Sequence, residues 1–314
     1  MKILVTGGAG FIGSNLCDRL LGLGHKVICI DNLNDYYSPK RKEKNIEHNL
    51  NNKNFEFHKT DIEDKDSLKR IFENNKIDIV VHIAARAGVR PSLENPDIYF
   101  KTNVIGTLNV LELCRQFNIK MVFASSSSIY GNNKIPFSEN EPAEEQISPY
   151  GTTKRIGERL CEMYSNLYNL NIICLRFFTV YGPRGRPDMA PYIFTKNILE
   201  GKKIGIFGDG SSQRDYTFIE DITDGIVSAM KKDIKFEIIN LGDSKPVLLK
   251  DFIALIEKIT GRKAIIENLP EQKGDMKATY ADISKAKELL GYEPKVSIEE
   301  GMKKFIEWYK NEKE

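Results

Sequence analysis

The sequence predicts an α/β fold, a doubly wound parallel sheet with a smaller C-terminal α/β substrate-binding lobe, and three observations predict it. Short apolar, β-rich runs alternate with helical patterns through the first half of the chain. A glycine-spaced turn joins the first such run to the first helical pattern. From about Gly182 the alternation loosens, with Pro183, Pro187 and Pro191 and the glycines of Gly205-Ile-Phe-Gly-Asp-Gly210.

The strands are expected over 3–5, 27–30, 55–57, 79–83, 121–124 and 172–175. Their alternation with helical segments implies right-handed βαβ units and a sheet covered on both faces. Apolar residues at helical spacing over 14–23 and 104–117 predict helices that stop near Gly24 and Asn118, and 298–309 reads as a closing amphipathic helix. The expected organisation is a dinucleotide-binding domain over 1–180, rejoined by late elements at about 212–245, and a domain over 181–314 that mainly binds substrate. Residues 49–54, rich in asparagine, read as an exposed turn.

Bulk properties exclude several classes. Lysine and arginine number 46 against 44 acidic residues among 314, a formal charge of +2 without long single-sign blocks. That balance argues against nucleic acid or a membrane surface as partner. No apolar run approaches the roughly 20 residues that span a bilayer. The start, Met1-Lys-Ile-Leu-Val-Thr-Gly-Gly8, is already strand and turn, so no signal peptide is expected and a cytoplasmic location is. Cys17, Cys29, Cys114, Cys161 and Cys174 lack metal-binding spacing and lie in apolar patterns, which predicts reduced, buried thiols and no metal.

Lys2-Ile-Leu-Val-Thr-Gly7-Gly8-Ala9-Gly10-Phe11-Ile12-Gly13 sets Gly7, Gly10 and Gly13 three apart, after a strand and at the opening of a helix. A tight turn, close approach of a pyrophosphate to backbone, and helix-on-strand contact each exclude a side chain. The helix N-terminus offers free N–H groups to the phosphates. This is the pattern of a Rossmann dinucleotide site. Asp31, eighteen residues after Gly13, is placed to accept the adenosine ribose hydroxyls and to repel a 2′-phosphate, which favours NAD over NADP. Asp61 follows the third strand toward the adenine, and Ala84 and Ala85 are small enough for backbone to meet the cofactor.

A second constellation carries the chemistry. Ser125-Ser126-Ser127-Ser128 follows a strand, and Tyr150-Gly-Thr-Thr-Lys154 opens a helix. Residues four apart share a helix face, so Tyr150 and Lys154 can address one ligand. A cation beside a phenol lowers the cost of ionising it. Tyr150 then takes the proton of a sugar hydroxyl as the carbon's hydride passes to the nicotinamide, with a serine sharing the relay.

Together these motifs resemble the extended short-chain dehydrogenase/reductases, the NAD-dependent epimerase/dehydratase family, from the glycine turn to Asp282. The resemblance is greatest to the UDP-glucuronate 4-epimerase branch, carried by residues 31–37, 87–90 with 92–96, and 176–190. It implies a catalytic trio of Ser126, Tyr150 and Lys154, and further NAD contacts at Phe11, Ile12, Asn32, Ile62, Asn103 and Phe177. By the same resemblance Ser127, Ser128 and Thr179 meet the sugar's C6 carboxylate, and Arg90 and Arg186 lie near the substrate. Phe207 stacks on uracil, Arg214 holds the diphosphate, and Gln272 and Asp275 meet the uridine ribose.

Related dehydratases carry Asp-Glu where Ser127-Ser128 stand, and related decarboxylases a glutamate at Ser128, so both reactions are disfavoured. The implied activity is inversion at C4 of a UDP-sugar, from UDP-glucuronate to UDP-galacturonate, through a 4-keto intermediate with NAD retained. The alternatives are a 4-epimerase of neutral or N-acetylated UDP-sugars, a UDP-glucuronate decarboxylase, or a non-catalytic NAD-sensing scaffold. The family resemblance also implies a homodimer through the helices beginning near Asn103 and Tyr150.

Overall fold

Apolar residues that run continuously rather than alternately build strands buried on both faces, as parallel sheets covered by helices require. In the computed structural model, which describes residues 1–270 and 276–312, such strands are β1 Lys2–Thr6, β2 Lys26–Asp31, β4 Ile79–His82, β5 Lys120–Ser126 and β6 Ile172–Phe177, while β3 Phe55–Lys59, at the sheet edge, alternates apolar with polar residues and is only partly buried. Seven further strands follow: β7 Thr179–Tyr181, β8 Lys203–Phe207, β9 Gln213–Phe218, β10 Phe236–Leu241, β11 Pro246–Leu248, β12 Ile265–Leu269 and β13 Ala278–Thr279. The main sheet is parallel throughout, in the order β10-β6-β5-β4-β1-β2-β3. It is the doubly wound α/β sheet that the sequence predicts.

Successive residues of β1 face opposite layers. Ile3 and Val5 join a core with Leu16, Leu20, Ile222 and Ile226, from the helices Phe11–Gly22 and Ile219–Met230. Leu4 joins the other core with Leu68, Leu111 and Cys161, from Lys65–Asn74, Thr107–Phe117 and Pro149–Tyr168. The five cysteines are buried and form no disulfide.

Where element limits differ from expectation, polar chemistry is the reason. β5 extends through Ser125 and Ser126, and β4 ends on His82 rather than Ile83. The first helix begins at Phe11, three residues early, because Gly10 serves as its N-cap. The helix expected over 104–117 is a π-helical turn, Lys101–Gly106, running into the α-helix Thr107–Phe117, which ends on Asn118 in the left-handed conformation at φ 52°. Asn49, expected on an exposed turn, is buried and donates to Asp18.

Of the stretch 212–245, the helix Ile219–Met230 and β10 lie with the main sheet, whereas β9 lies in a four-stranded sheet with β7, β11 and β13. The buried Asp215 carboxylate fixes β9 there, accepting backbone N–H groups of Asp243, Ser244 and Ala281 at 2.7, 3.0 and 3.0 Å. Strands β8 and β12 form a two-stranded parallel sheet. No helix among the described residues is long and apolar enough to cross a membrane.

Candidate active site

The carboxyl ends of β1 and β4 diverge at the point where strand order reverses, which is where open α/β sheets bind ligands. A cleft of about 860 Å³ opens there. Gly7, at φ +69°, lies against β4: a Cβ on it would stand 2.8 Å from the backbone N and Cα of Ala84. A Cβ on Gly13 would stand 2.1 Å from the Gly7 carbonyl oxygen. These two glycines are demanded by backbone meeting backbone. Gly10 differs, because a Cβ there meets only Gly7 O at 3.2 Å and the Tyr37 hydroxyl at 3.8 Å. The helix after it has no side-chain cap among the described residues, so its first N–H groups face the cleft.

Asp31 ends β2 with its carboxylate accepting the N–H groups of Ala9 at 3.1 Å and Leu33 at 2.9 Å. Burial pushes its acid constant above the usual carboxylate value, opposed by Lys42 and by those backbone donors. Asn32 donates to Asp61 at 2.7 Å. With Ile62, Ala84, Ala85 and Phe177 these residues line the same cleft as Phe11 and Ile12. Asn103 does not line it. It stands behind the wall with its side chain fully engaged: Oδ1 accepts Arg86 N–H at 2.8 Å, and Nδ2 donates to Arg86 O and Thr153 Oγ1 at 3.0 and 2.9 Å.

Tyr150 sits in the first turn of Pro149–Tyr168, where Ser148 caps Gly151 N–H at 3.1 Å and Pro149 needs no partner. Ser92 Oγ accepts the Tyr150 N–H at 3.2 Å. Gly151 lets this turn close on the serine cluster, since a Cβ there would lie 2.5 Å from Ser128 O. Ser126 Oγ accepts Ser128 N–H at 3.2 Å and lies near enough to the Tyr150 phenol to favour its ionised form. Tyr99 packs edge-on to Tyr150 and donates to Ala87 O at 2.9 Å.

Lys154 is not among the groups that act on the Tyr150 acid constant. Burial raises it, opposed by the neighbouring Ser126 hydroxyl and the Arg186 charge. Lys154 donates instead to Ala124 O at 2.7 Å, and burial lowers its own value to about 8. Beneath them Glu158 is fully buried between Arg176, at 2.8 and 2.9 Å, and Ser125, at 2.7 Å.

Ser127, Ser128 and Thr179 line the same cleft. Arg186 is held by Asp188 at 3.0 and 2.5 Å and reaches Tyr36 Oη at 3.3 Å. Arg90 stacks over Phe207 with its guanidinium carbon 4.3 Å from the ring centre. Arg214 lines the cleft and donates to Gln213 O at 2.8 Å. Gln272 and Asp275 lie outside the described residues.

Sequence reasoning missed His82, Tyr99 and the Glu158–Arg176 pair. His82 had a signal: one polar residue closing the otherwise apolar run Ile79-Val-Val. It is 1% exposed, 2.7 Å from Thr6 Oγ1 and 3.0 Å from Thr107 Oγ1, and burial lowers its value to about 3.

Comparison with known proteins adds to this geometry. Residues 3–242 match the NAD dependent epimerase/dehydratase family. The chain belongs to that family. A UDP-glucuronate 4-epimerase of Thermodesulfobacterium geofontis is 48% identical over 309 residues, covering 98% of this chain and 95% of its own. The crystal structure of UDP-glucuronic acid 4-epimerase from Bacillus cereus, in complex with UDP-glucuronic acid and NAD, superposes with a TM-score of 0.94 at 40% identity over 99% of each chain. A UDP-glucose 4-epimerase of Thermotoga maritima, solved with UDP-glucose, gives 0.92 at 37% identity over 100% of each.

As in an NAD dependent epimerase/dehydratase, the residues present fit the dinucleotide. Gly10 leaves room over an uncapped helix N-terminus, and the Tyr37 hydroxyl beside it is buried with no hydrogen-bond partner among the described residues. Asp31 supplies an acceptor at the end of β2. The Gly10→Ala protein is therefore expected to fold as the wild type and bind NAD at least ten-fold more weakly, read by calorimetric titration. Gly13→Ala is expected to lose cofactor binding and at least 2 kcal/mol of stability in denaturant unfolding, since backbone must move.

Acid also tests the site. Unfolded histidine binds its proton near pH 6.5 and buried His82 only near 3, so the unfolded state takes up the extra proton between them. Stability is expected to fall as pH drops below 6.5, with about 1.4 kcal/mol per pH unit coming from this residue. The His82→Gln protein should lack that part of the slope in unfolding titrations from pH 7 to 4.

Proposed function

We propose that the chain inverts C4 of UDP-glucuronate, giving UDP-galacturonate, with NAD held throughout. One observation carries the choice of substrate: the cleft lined by Tyr150 is also lined by Ser127, Ser128 and Thr179, with Arg186 near enough for its charge to act on the phenol. Hydroxyls and a guanidinium suit a carboxylate-bearing sugar, and no carboxyl group stands among those three for dehydration. The epimerases of Thermodesulfobacterium geofontis and Bacillus cereus carry the same activity in their names.

In this reading Gly7, Gly10, Phe11, Ile12, Gly13, Asp31, Asn32, Asp61, Ile62, Ala84, Ala85 and Phe177 hold NAD, and Asn103 supports them from behind. Bound NAD supplies a reversible two-electron acceptor and a cationic ring. Tyr150 takes the C4 hydroxyl proton and later returns it, with Ser126 donating to the phenolate oxygen. Lys154, fixed on Ala124 O, supplies positive charge below. Burial raises the acid constant of the phenol, and cationic charge near it favours the ionised form that acts as the base. Ser127, Ser128 and Thr179 hold the C6 carboxylate out of line with the 4-keto group, which keeps a β-keto acid from losing CO₂. Arg90, Phe207 and Arg214, with Gln272 and Asp275, hold the UDP.

With NAD and UDP-glucuronate, the wild type is expected to give UDP-galacturonate, no pentose product and no net NADH, resolved by anion-exchange chromatography. UDP-glucose should be turned over at least a hundred-fold less efficiently. Tyr150→Phe should lower kcat about 10²- to 10⁴-fold. Preference for UDP-glucose would overturn the uronate assignment in favour of a neutral-sugar epimerase.

The proposed assembly is a homodimer through the helices beginning near Asn103 and Tyr150, here the π-helical turn Lys101–Gly106 with Thr107–Phe117, and Pro149–Tyr168. Ile105, Phe117, Met163 and Leu167 leave apolar surface exposed along them. Light scattering at micromolar protein is expected to give twice the 35.8 kDa chain mass, and a monomer would refute it.

A further inference from the structure

The cleft floor and the Tyr150 turn belong to different elements, yet one continuous set of hydrogen bonds joins them. Thr6 Oγ1, at the end of β1, accepts two backbone N–H groups, from Ile83 at 3.1 Å and Ala84 at 3.2 Å. Both its lone pairs are then used, so its own hydrogen points to His82 Nδ1, 2.7 Å away. The imidazole is neutral, so the proton resides on Nε2, which donates to Thr107 Oγ1 at 3.0 Å. Thr107 in turn donates to Asn103 O at 2.6 Å.

Asn103 carries the connection onward. It clamps both polar groups of the Arg86 backbone, and its Nδ2 reaches Thr153 Oγ1, which donates to Tyr150 O at 2.9 Å. The π-helical turn Lys101–Gly106 presents Asn103 in this chain. Such turns are costly and recur at functional sites. With Thr6 Oγ1 accepting two N–H groups and Thr107 Oγ1 donating to Asn103 O, the ring has one arrangement that satisfies both neighbours, accepting at Nδ1 and donating at Nε2.

We propose that His82 is a positioning residue: its Nε2–H tautomer sets the spacing between the floor at Ile83–Ala84 and the helix turn that carries Tyr150. The inference rests on the reading of Tyr150 as the base. It makes a directional demand, because position 82 must accept from Thr6 and donate to Thr107. Glutamine offers one carbonyl oxygen and one amide N–H and meets that demand. Methionine has similar bulk and does not.

The test compares His82→Gln with His82→Met, and Thr107→Ser with Thr107→Val should either methionine or valine variant fail to fold. Calorimetry with NAD is expected to give Kd within three-fold of wild type for Gln and Ser, and at least ten-fold weaker for Met and Val. In NAD-saturated protein the Met and Val variants should lose at least ten-fold in kcat on UDP-glucuronate with KM within three-fold, while Gln and Ser keep both. Met or Val variants that lose thermal stability but retain kcat would make His82 a packing strut and overturn the proposal. So would Gln and Ser variants as impaired as Met and Val. A wild type that leaves UDP-glucuronate unchanged would sink the functional reading instead, and the NAD comparison alone would then decide the role of His82.

Discussion

Contact between two stretches of main chain, the turn after β1 and the exit of β4, underlies the whole cleft. Side chains are excluded there on one side by Gly7 and Gly13, and on the other Thr6 Oγ1 binds the two N–H groups of Ile83 and Ala84. Close approach on this scale fixes the origin of the first helix, and hence the direction in which its uncapped N–H groups point. A larger residue at either glycine would open the floor and separate the phosphate end of the site from the proton-transfer end.

Burial does two opposing things at the proton-transfer end. It keeps Tyr150, Lys154 and His82 in their uncharged or less charged forms, and it strengthens any field that a ligand brings. The chain has placed its permanent charges in pairs to make this affordable: Arg176 with Glu158, and Arg186 with Asp188. A phenol held protonated by burial stays inert toward water and adventitious alcohols.

Much of this was legible in the sequence because the constraints were local. The glycine spacing, Asp31 at a strand end, and Tyr150 with Lys154 one turn apart each encode a requirement within a few residues. The six strands of the first half were visible as apolar runs, though their polar ends at Ser125, Ser126 and His82 were not, since hydropathy stops where a site begins. Other features depend on partners distant in sequence. The π-helical turn is invisible to a 3.6-residue period, and Asn103 was assigned to the cofactor although its side chain is spent on Arg86 and Thr153. The placement of β9 beside β7 was missed for a similar reason, because the Asp215 contacts that hold it come from residues 28 to 66 positions away.

The seventh strand of the main sheet has a topological consequence. After β6 the chain leaves to build β7, β8 and β9, then returns to lay β10 alongside β6, and departs again for β11 to β13. Neither sheet is therefore encoded by one uninterrupted segment. A fragment ending near residue 180 would leave the β6 edge bare, an open ladder of main-chain donors and acceptors prone to recruit another chain.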